Sequence, residues 1–423
     1  MVALHDESLP LGSYPQRFRE AEARGVRLGV PLRVMGRVKG LDEVLMDRIG
    51  RAFGERDELG AALADAIRMR AGQPGRVSME QLRTALAGGS AAVPDAPPAL
   101  AALLAEVEQV PDWVDWDLLD EGARVSRRLG QNAADVLTQL SLIGGYRFGG
   151  PPDLLVATGG LVGDSTRRRL GETQKWVVEL TRPGSLRPPG HGGEGRQGGE
   201  AWRLTVHVRA MHALVNAAFE PAWDVARWGL PINQADQAST LMLFDGILVI
   251  GSRGLGVRVS RRESRALMHL WKYVGWLMGV DDDFLVDDEW ERHRQAYHVL
   301  LAQADVSEAG PQLAQAIVEA QRRRRYPGWP AWLQGVRGRY EQERLLSMLT
   351  TFLGPSSMRD LGLPLRPPWA HLYLVPLNVL RYRILGRTAW GRRRLLVWGD
   401  RVSQRLLDSY FVDEQQAVGE LRP

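Results

Sequence analysis

His212 is the residue of this chain best suited to carry chemistry. It stands in a mostly apolar stretch, Trp202 to Phe219, with Arg209 before it and Asn216 after it. On an α-helix those positions follow an i, i+3, i+7 spacing, so the three side chains share one face. A neutral imidazole fixed on an apolar helix is what a haem or non-haem iron needs as an axial donor. The alternative for the same residue is a core histidine bonded to a backbone carbonyl.

A second set, Arg169 and Thr173, lies one turn apart in an earlier, more polar stretch. An arginine within an apolar or mixed helix wants a carboxylate, a phosphate or a haem propionate, and the carboxylate can come from the protein itself. Thr173 could donate a hydrogen bond to bound oxygen or substrate, or bond back to its own helix. His269 competes with His212, but Trp271, Tyr273 and Trp276 beside it read as packing. His207 falls on a different face from His212.

Two helices and a loop must position these groups. The first follows a cap at Asp164 or Ser165 and runs to about Thr181, where Pro183 and Gly184 stop it. The Gly- and Pro-dense stretch from Pro183 to Glu200 holds too few apolar residues to bury a core and is expected to be a loose loop. The second helix, Trp202 to Phe219, is expected to be central and buried.

Around them the periodicity gives helices over Leu41 to Ala52, Glu58 to Met69, Ala99 to Glu108, Leu118 to about Leu142, Ser260 to Gly279 and Tyr340 to Leu353. Pro31 to Val38 reads as a short extended piece, and Thr240 to Ile250 as buried helix. Trp290 to Gln303 and Gln312 to Arg325 read as more exposed helices. Gly88 to Pro98 is a linker by composition. It divides an N-terminal helical extension, 1–98, from a helical domain, 99–423, with C-terminal helices. The fold class expected is all-α, and no fixed-period repeat occurs.

Composition removes several function classes. Cysteine is absent, so disulfides, thiolate zinc sites, iron–sulfur clusters and covalent c-type haem are excluded. With 54 basic and 50 acidic residues the net charge is only +4, which fits a mixed-charge surface better than a nucleic-acid groove. The start, Met1 to Gln16, lacks a signal-peptide pattern, and no later run reaches about 18 apolar residues. The expected location is therefore the cytoplasm, although a chain whose export signal had been removed would read the same. No H-E-x-x-H, paired Glu-x-x-His or phosphate-loop motif occurs. Gly193 to Gly198 matches G-x-G-x-x-G, but no strand precedes it. The arginine runs Arg322 to Arg325 and Arg392 to Arg394 read as solvated faces, with peripheral membrane contact as the secondary reading.

Several motifs, taken in order, resemble the latex-clearing-protein type rubber oxygenases and the related MpaB oxygenases. They are Val110-Pro-Asp-Trp-Val-Asp115, Thr158-Gly-Gly-Leu161, Arg169-x-x-x-Thr173, Arg209-x-x-His212, Trp228-Gly-Leu-Pro-Ile-Asn233 and the Trp271 to Gly279 helix. Together they span about residues 105–345. The resemblance implies a globin-like helical core around one non-covalent haem b, with His212 as the proximal iron ligand and Arg209 near the propionates. Arg169 and Thr173 would line the distal side, and Asp153 would be a candidate distal base.

Two positions depart from the rubber-cleaving members: Glu172 stands where they carry a lysine, and Asn216 where they carry a second arginine. Both put polyisoprene in doubt as substrate. The expected function is thus a haem b-dependent oxygenase using dioxygen on an apolar substrate, with isoprenoids among the candidates. The alternatives are a haem-binding sensor or carrier without turnover and a membrane-associated helical protein.

Overall fold

A computed structural model describes residues 14–159, 165–191, 198–411 and 416. Those residues form an all-α molecule. The possible cap at Asp164, Leu161 of the Thr158 motif, and residues 193–197 of the glycine-rich match lie outside the described residues.

The strongly periodic helices form where expected: Glu43–Ala52, Glu58–Arg68, Pro98–Glu108, Trp116–Leu129, Ser165–Leu180, Glu200–Phe219 and Arg261–Leu277. Their starts follow capping chemistry. Asp115 accepts from the N–H groups of Asp117 and Leu118, and Ser260 and Glu263 form a reciprocal capping box. The helical run after Leu118 is broken at Gly130, whose φ of 53° suits glycine, and then widens into a π-helical turn over Leu137–Ile143.

Four expectations need correction. Pro31 to Val38 is not extended, since Val30–Met35 is a short helix whose proline occupies an early position where its missing N–H costs nothing. The 240–250 block is helical but interrupted: Gln234–Phe244 and Gly246–Gly254 meet at Asp245, a buried carboxylate paired with Arg292 at 2.7 Å. The helix Glu289–Leu301 is not an exposed one, because Arg292, His293, Gln295 and His298 are all buried. The loop after Pro183 is not wholly loose either. Leu186 is 1% exposed within the core, and Ser185 bonds the start of the next helix through its Oγ and its carbonyl.

The main core draws buried residues from Leu32 to Leu119 and from Leu180 to Ala302. Met46, Ile49, Leu63, Ile67 and Leu82 pack in one cluster with Trp202, Val206, Leu270, Trp271 and Leu277. Residues on both sides of position 98 therefore share one core. Other clusters tie the middle of the chain to the C-terminal helices, one joining Val136, Val249, Met268 and Leu374, another joining Ile143, Ile317 and Leu349. The long helix Gln334–Asp360 that serves both is kinked at Gly354, where φ is 76° and Pro355 follows.

Candidate functional site

Helices Ser165–Leu180 and Glu200–Phe219 run antiparallel, and one hydrogen bond sets their register. The Trp176 indole N–H donates to Thr205 Oγ1 at 3.0 Å, while Thr205 Oγ1 itself donates to the Ala201 carbonyl. Seven residues back from Trp176 is Arg169, and seven forward from Thr205 is His212. Each step is about two turns, roughly 10 Å, so the register brings Arg169 opposite His212. The Arg169 charge does act on the His212 imidazole.

His212 is partly accessible from a cavity of about 450 Å³ and otherwise enclosed. Its pKa is pushed down to about 4. Burial is the main cause; the Asp57 carboxylate opposes the shift, and the Arg169 guanidinium adds to it. The ring is therefore neutral near pH 7. Its Nδ1 is buried with no hydrogen-bond partner, an arrangement that costs about 1–3 kcal/mol in an ordinary core. No described group of three or more histidine or carboxylate side chains is placed to hold a metal ion.

Arg209 is 3% exposed, and of the partners open to it the protein supplies carboxylates. Asp57 takes Nε and Nη2 in a two-pronged contact at 2.6 and 2.7 Å, and Glu106 accepts from Nη1 at 2.7 Å. Burial works against the charge, but Asp57 and then Glu106 outweigh it, so the Arg209 pKa lies above its ordinary value. Glycines make room for the pair. A Cβ on Gly279, where φ is +76°, would sit 2.7 Å from Asp57 Cγ and 2.8 Å from Arg209 Nε.

Asn216 also serves the scaffold. Its amide donates to the Ile232 carbonyl and accepts from the Ile232 N–H, at 3.3 and 3.1 Å. That bond fixes the Trp228 to Asn233 motif, whose Leu230 N–H reaches back to the Phe53 carbonyl. Asn216 lines the cavity beside His212 and Arg209.

The other expected residues fall differently. Arg169 is half-buried and forms no ion pair with a described carboxylate, but it does not line the cavity. Thr173 is exposed. Asp153 accepts from the Gly150 N–H at 2.8 Å, holding the first turn of helix Pro151–Ala157, and it does not line the cavity. His269 is a satisfied histidine: its Nε2 accepts from the Asp115 N–H at 2.9 Å. His371 has two unpartnered buried ring nitrogens, yet it sits against Phe352, away from this cavity.

Sequence reasoning missed two contributors. Asp57 resembles a helix-start residue, and nothing local points across the chain to Arg209. Arg68 lines the cavity and has no carboxylate partner among the described residues, whereas Arg56 beside it pairs with Glu220 at 2.8 Å. The lining is two-sided, with Ala213, Ile232 and Met278 on the apolar part and Asp65, Arg68 and Glu220 among the charged residues. Behind the Trp176 bond, Trp176, Phe244 and Trp271 pack ring to ring with centroids 4.8 to 5.9 Å apart. None of the three rings lines the cavity.

Comparison with known proteins agrees with this helical arrangement. A solved structure of latex clearing protein in the closed state is similar over 89% of this chain and 93% of that chain, with a TM-score of 0.51 and 17% identity. It bears out the all-α fold. A search of curated proteins finds no match. A family model described as ER-bound oxygenase mpaB/B′/rubber oxygenase, catalytic domain, matches residues 127–389. This interval begins after the Val110 to Asp115 motif and extends past residue 345. It takes in both helices of the site, and the chain belongs to that oxygenase family and is an oxidoreductase.

Proposed function

We propose that the chain is a haem b-dependent oxygenase acting with dioxygen on an apolar substrate, isoprenoids being the class the family favours. The observation that carries this reading is the unpartnered, neutral imidazole of His212 in a 450 Å³ cavity, with no described group of three or more histidine or carboxylate side chains placed to hold a metal ion by themselves. A single histidine holds iron durably only when the other donors arrive with the metal, as a porphyrin's do. The cavity volume falls within the range usual for cofactor sites, about 300–1,000 Å³. Its mix of apolar and charged lining suits a flat apolar group that carries carboxylates.

Bound haem would supply the iron that activates dioxygen. The chain's own residues divide the remaining work. Burial keeps His212 unprotonated and so able to donate. Arg209 is already neutralised by Asp57 and Glu106, so its part is to fix His212's helix against the N-terminal helices. Arg68 is the cavity cation left to meet a propionate. Arg169, which pairs with no carboxylate among the described residues, keeps its positive charge within electrostatic reach of His212, suited to a substrate or oxygen atom that gains negative charge. Trp176, Phe244 and Trp271 pack together behind the bond that joins the two helices and so hold His212's helix in place.

The test is optical. The purified chain reconstituted with haem should show a Soret band and a b-type pyridine haemochrome, and His212→Ala should lose the band. A variant that keeps the full Soret band removes His212 as the ligand, and a wild-type chain that takes up no haem ends the cofactor proposal.

A further inference from the structure

Between Leu361 and Gly399 the sequence carries seven arginines and not one Asp or Glu. Helix Trp369–Asn378, the π-helical turn Val379–Ile384 and the start of helix Ala389–Tyr410 follow one another in this stretch, and the contact of Arg381 with Trp398 joins the turn to the last helix. Leu372, Pro376, Leu380 and Ile384 recur every fourth residue and are all exposed, Leu372 by 73% and Ile384 by 61%. Beyond the turn, Trp390 is 59% exposed and Val397 47%, seven residues apart on the outward side of the next helix. The inward side of that helix is different, with Gly391, Leu395, Gly399 and Val402 buried.

Single exposed apolar residues are ordinary, but a row of them interleaved with one sign of charge marks a contact surface. The arginines here are largely uncommitted. Arg383, Arg387 and Arg393 are exposed, and none of them pairs with a described carboxylate. Arg394 lies over the Trp390 ring at 4.9 Å and Arg381 over Trp398 at 4.8 Å. That pairing of indole and guanidinium places an apolar body and a charged tip at the same level, as interfacial side chains require.

We infer that this face docks on the surface of an anionic lipid bilayer. The unbroken positive charge is complementary to acidic headgroups, and the apolar row can enter the headgroup boundary. No described helix is long and apolar enough to cross a membrane, so the contact is peripheral. A second copy of the chain fits less well, because the like charges of two such faces would oppose each other. The inference rests on a surface separate from His212 and does not depend on the cofactor.

The full chain should co-sediment with phosphatidylcholine vesicles containing phosphatidylserine and stay in solution with phosphatidylcholine alone. The triple variant Arg383→Gln, Arg387→Gln, Arg393→Gln should weaken that binding about a hundredfold, since each arginine near such a surface is worth roughly fivefold. Replacing Leu372, Leu380 and Ile384 by serine should weaken it without abolishing its salt dependence. All six positions are exposed, and an unchanged circular dichroism spectrum checks that the variants fold. Three outcomes overturn the inference: no binding to the acidic vesicles, equal binding to both vesicle types, or a dimer in solution that the serine variant dissociates.

Discussion

The indole of Trp176 and the hydroxyl of Thr205 meet at 3.0 Å, and their bond aligns Arg169 with His212 two turns away. Trp176→Phe removes the donor while keeping most of the packing, and Thr205→Val removes the acceptor. Each should cost about 1 kcal/mol in denaturant unfolding, and the double variant should cost less than the sum, as for one shared bond. Strictly additive losses would mean that the bond does not hold the register.

The Asp57–Arg209 pair offers a larger effect. Asp57→Ala leaves a buried guanidinium with Glu106 alone and should destabilise the protein by about 3–5 kcal/mol. Adding Arg209→Met to that background should recover part of the loss, because the uncompensated charge is then gone. Urea unfolding of the two single variants and the pair measures this. No recovery would show that the pair's role is mainly packing.

The sign of the pH dependence follows from His212. Its folded pKa of about 4 lies below the ordinary 6.5, so the unfolded chain takes up a proton before the folded one does. The stability this contributes is complete above pH 6.5 and is lost as the pH falls towards 4. The loss amounts to at most about 3 kcal/mol, less whatever partial solvent access removes. His212→Gln should flatten this part of the stability profile. In haem-free protein, histidine NMR titration should show the His212 pKa rising in Arg169→Ala and falling further in Asp57→Asn, as each neighbour's charge is removed.

Arg169→Ala and Thr173→Ala separate binding from turnover. Both should keep the Soret band of the reconstituted protein. Arg169→Ala should lower oxygen consumption with an apolar olefin at least about tenfold, in line with removing one electrostatic stabiliser. Thr173 is exposed, so its loss matters only if substrate covers it; equal rates for wild type and Thr173→Ala would place it outside the reaction.

Arg68→Ala tests the proposed propionate contact. Haem should dissociate faster from this variant while the Soret position stays put, because the axial ligand is untouched. An unchanged dissociation rate would mean that another cation holds the propionates.

Much of this architecture was legible in the sequence. The long amphipathic helices and the Arg209, His212, Asn216 face follow from periodicity and capping residues, which are local. The pairings were not. Asp57 lies 152 residues before Arg209 and looks like a helix-start residue, so no spacing rule links the two. Both arginine and asparagine read as ligand-facing from their positions, yet carboxylates and the Ile232 backbone took them first. The sequence set His269 behind His212 on its aromatic neighbours alone; the Asp115 N–H at its Nε2 is a contact that no spacing reveals. Leu186 and Ser185 were lost within a glycine-rich stretch because two anchoring residues barely alter its composition.

Gly279 carries a practical consequence for anyone trimming this protein. The matched catalytic interval begins at residue 127, so a shortened chain starting there would look like a complete catalytic unit. It would lack Asp57 and Glu106, and the space that Gly279 leaves open would surround an unneutralised guanidinium one turn from the proposed iron ligand. Such a fragment should aggregate or lose its cofactor. Asp57 and Glu106, which belong to no recognisable motif, act as the counter-charge of the site.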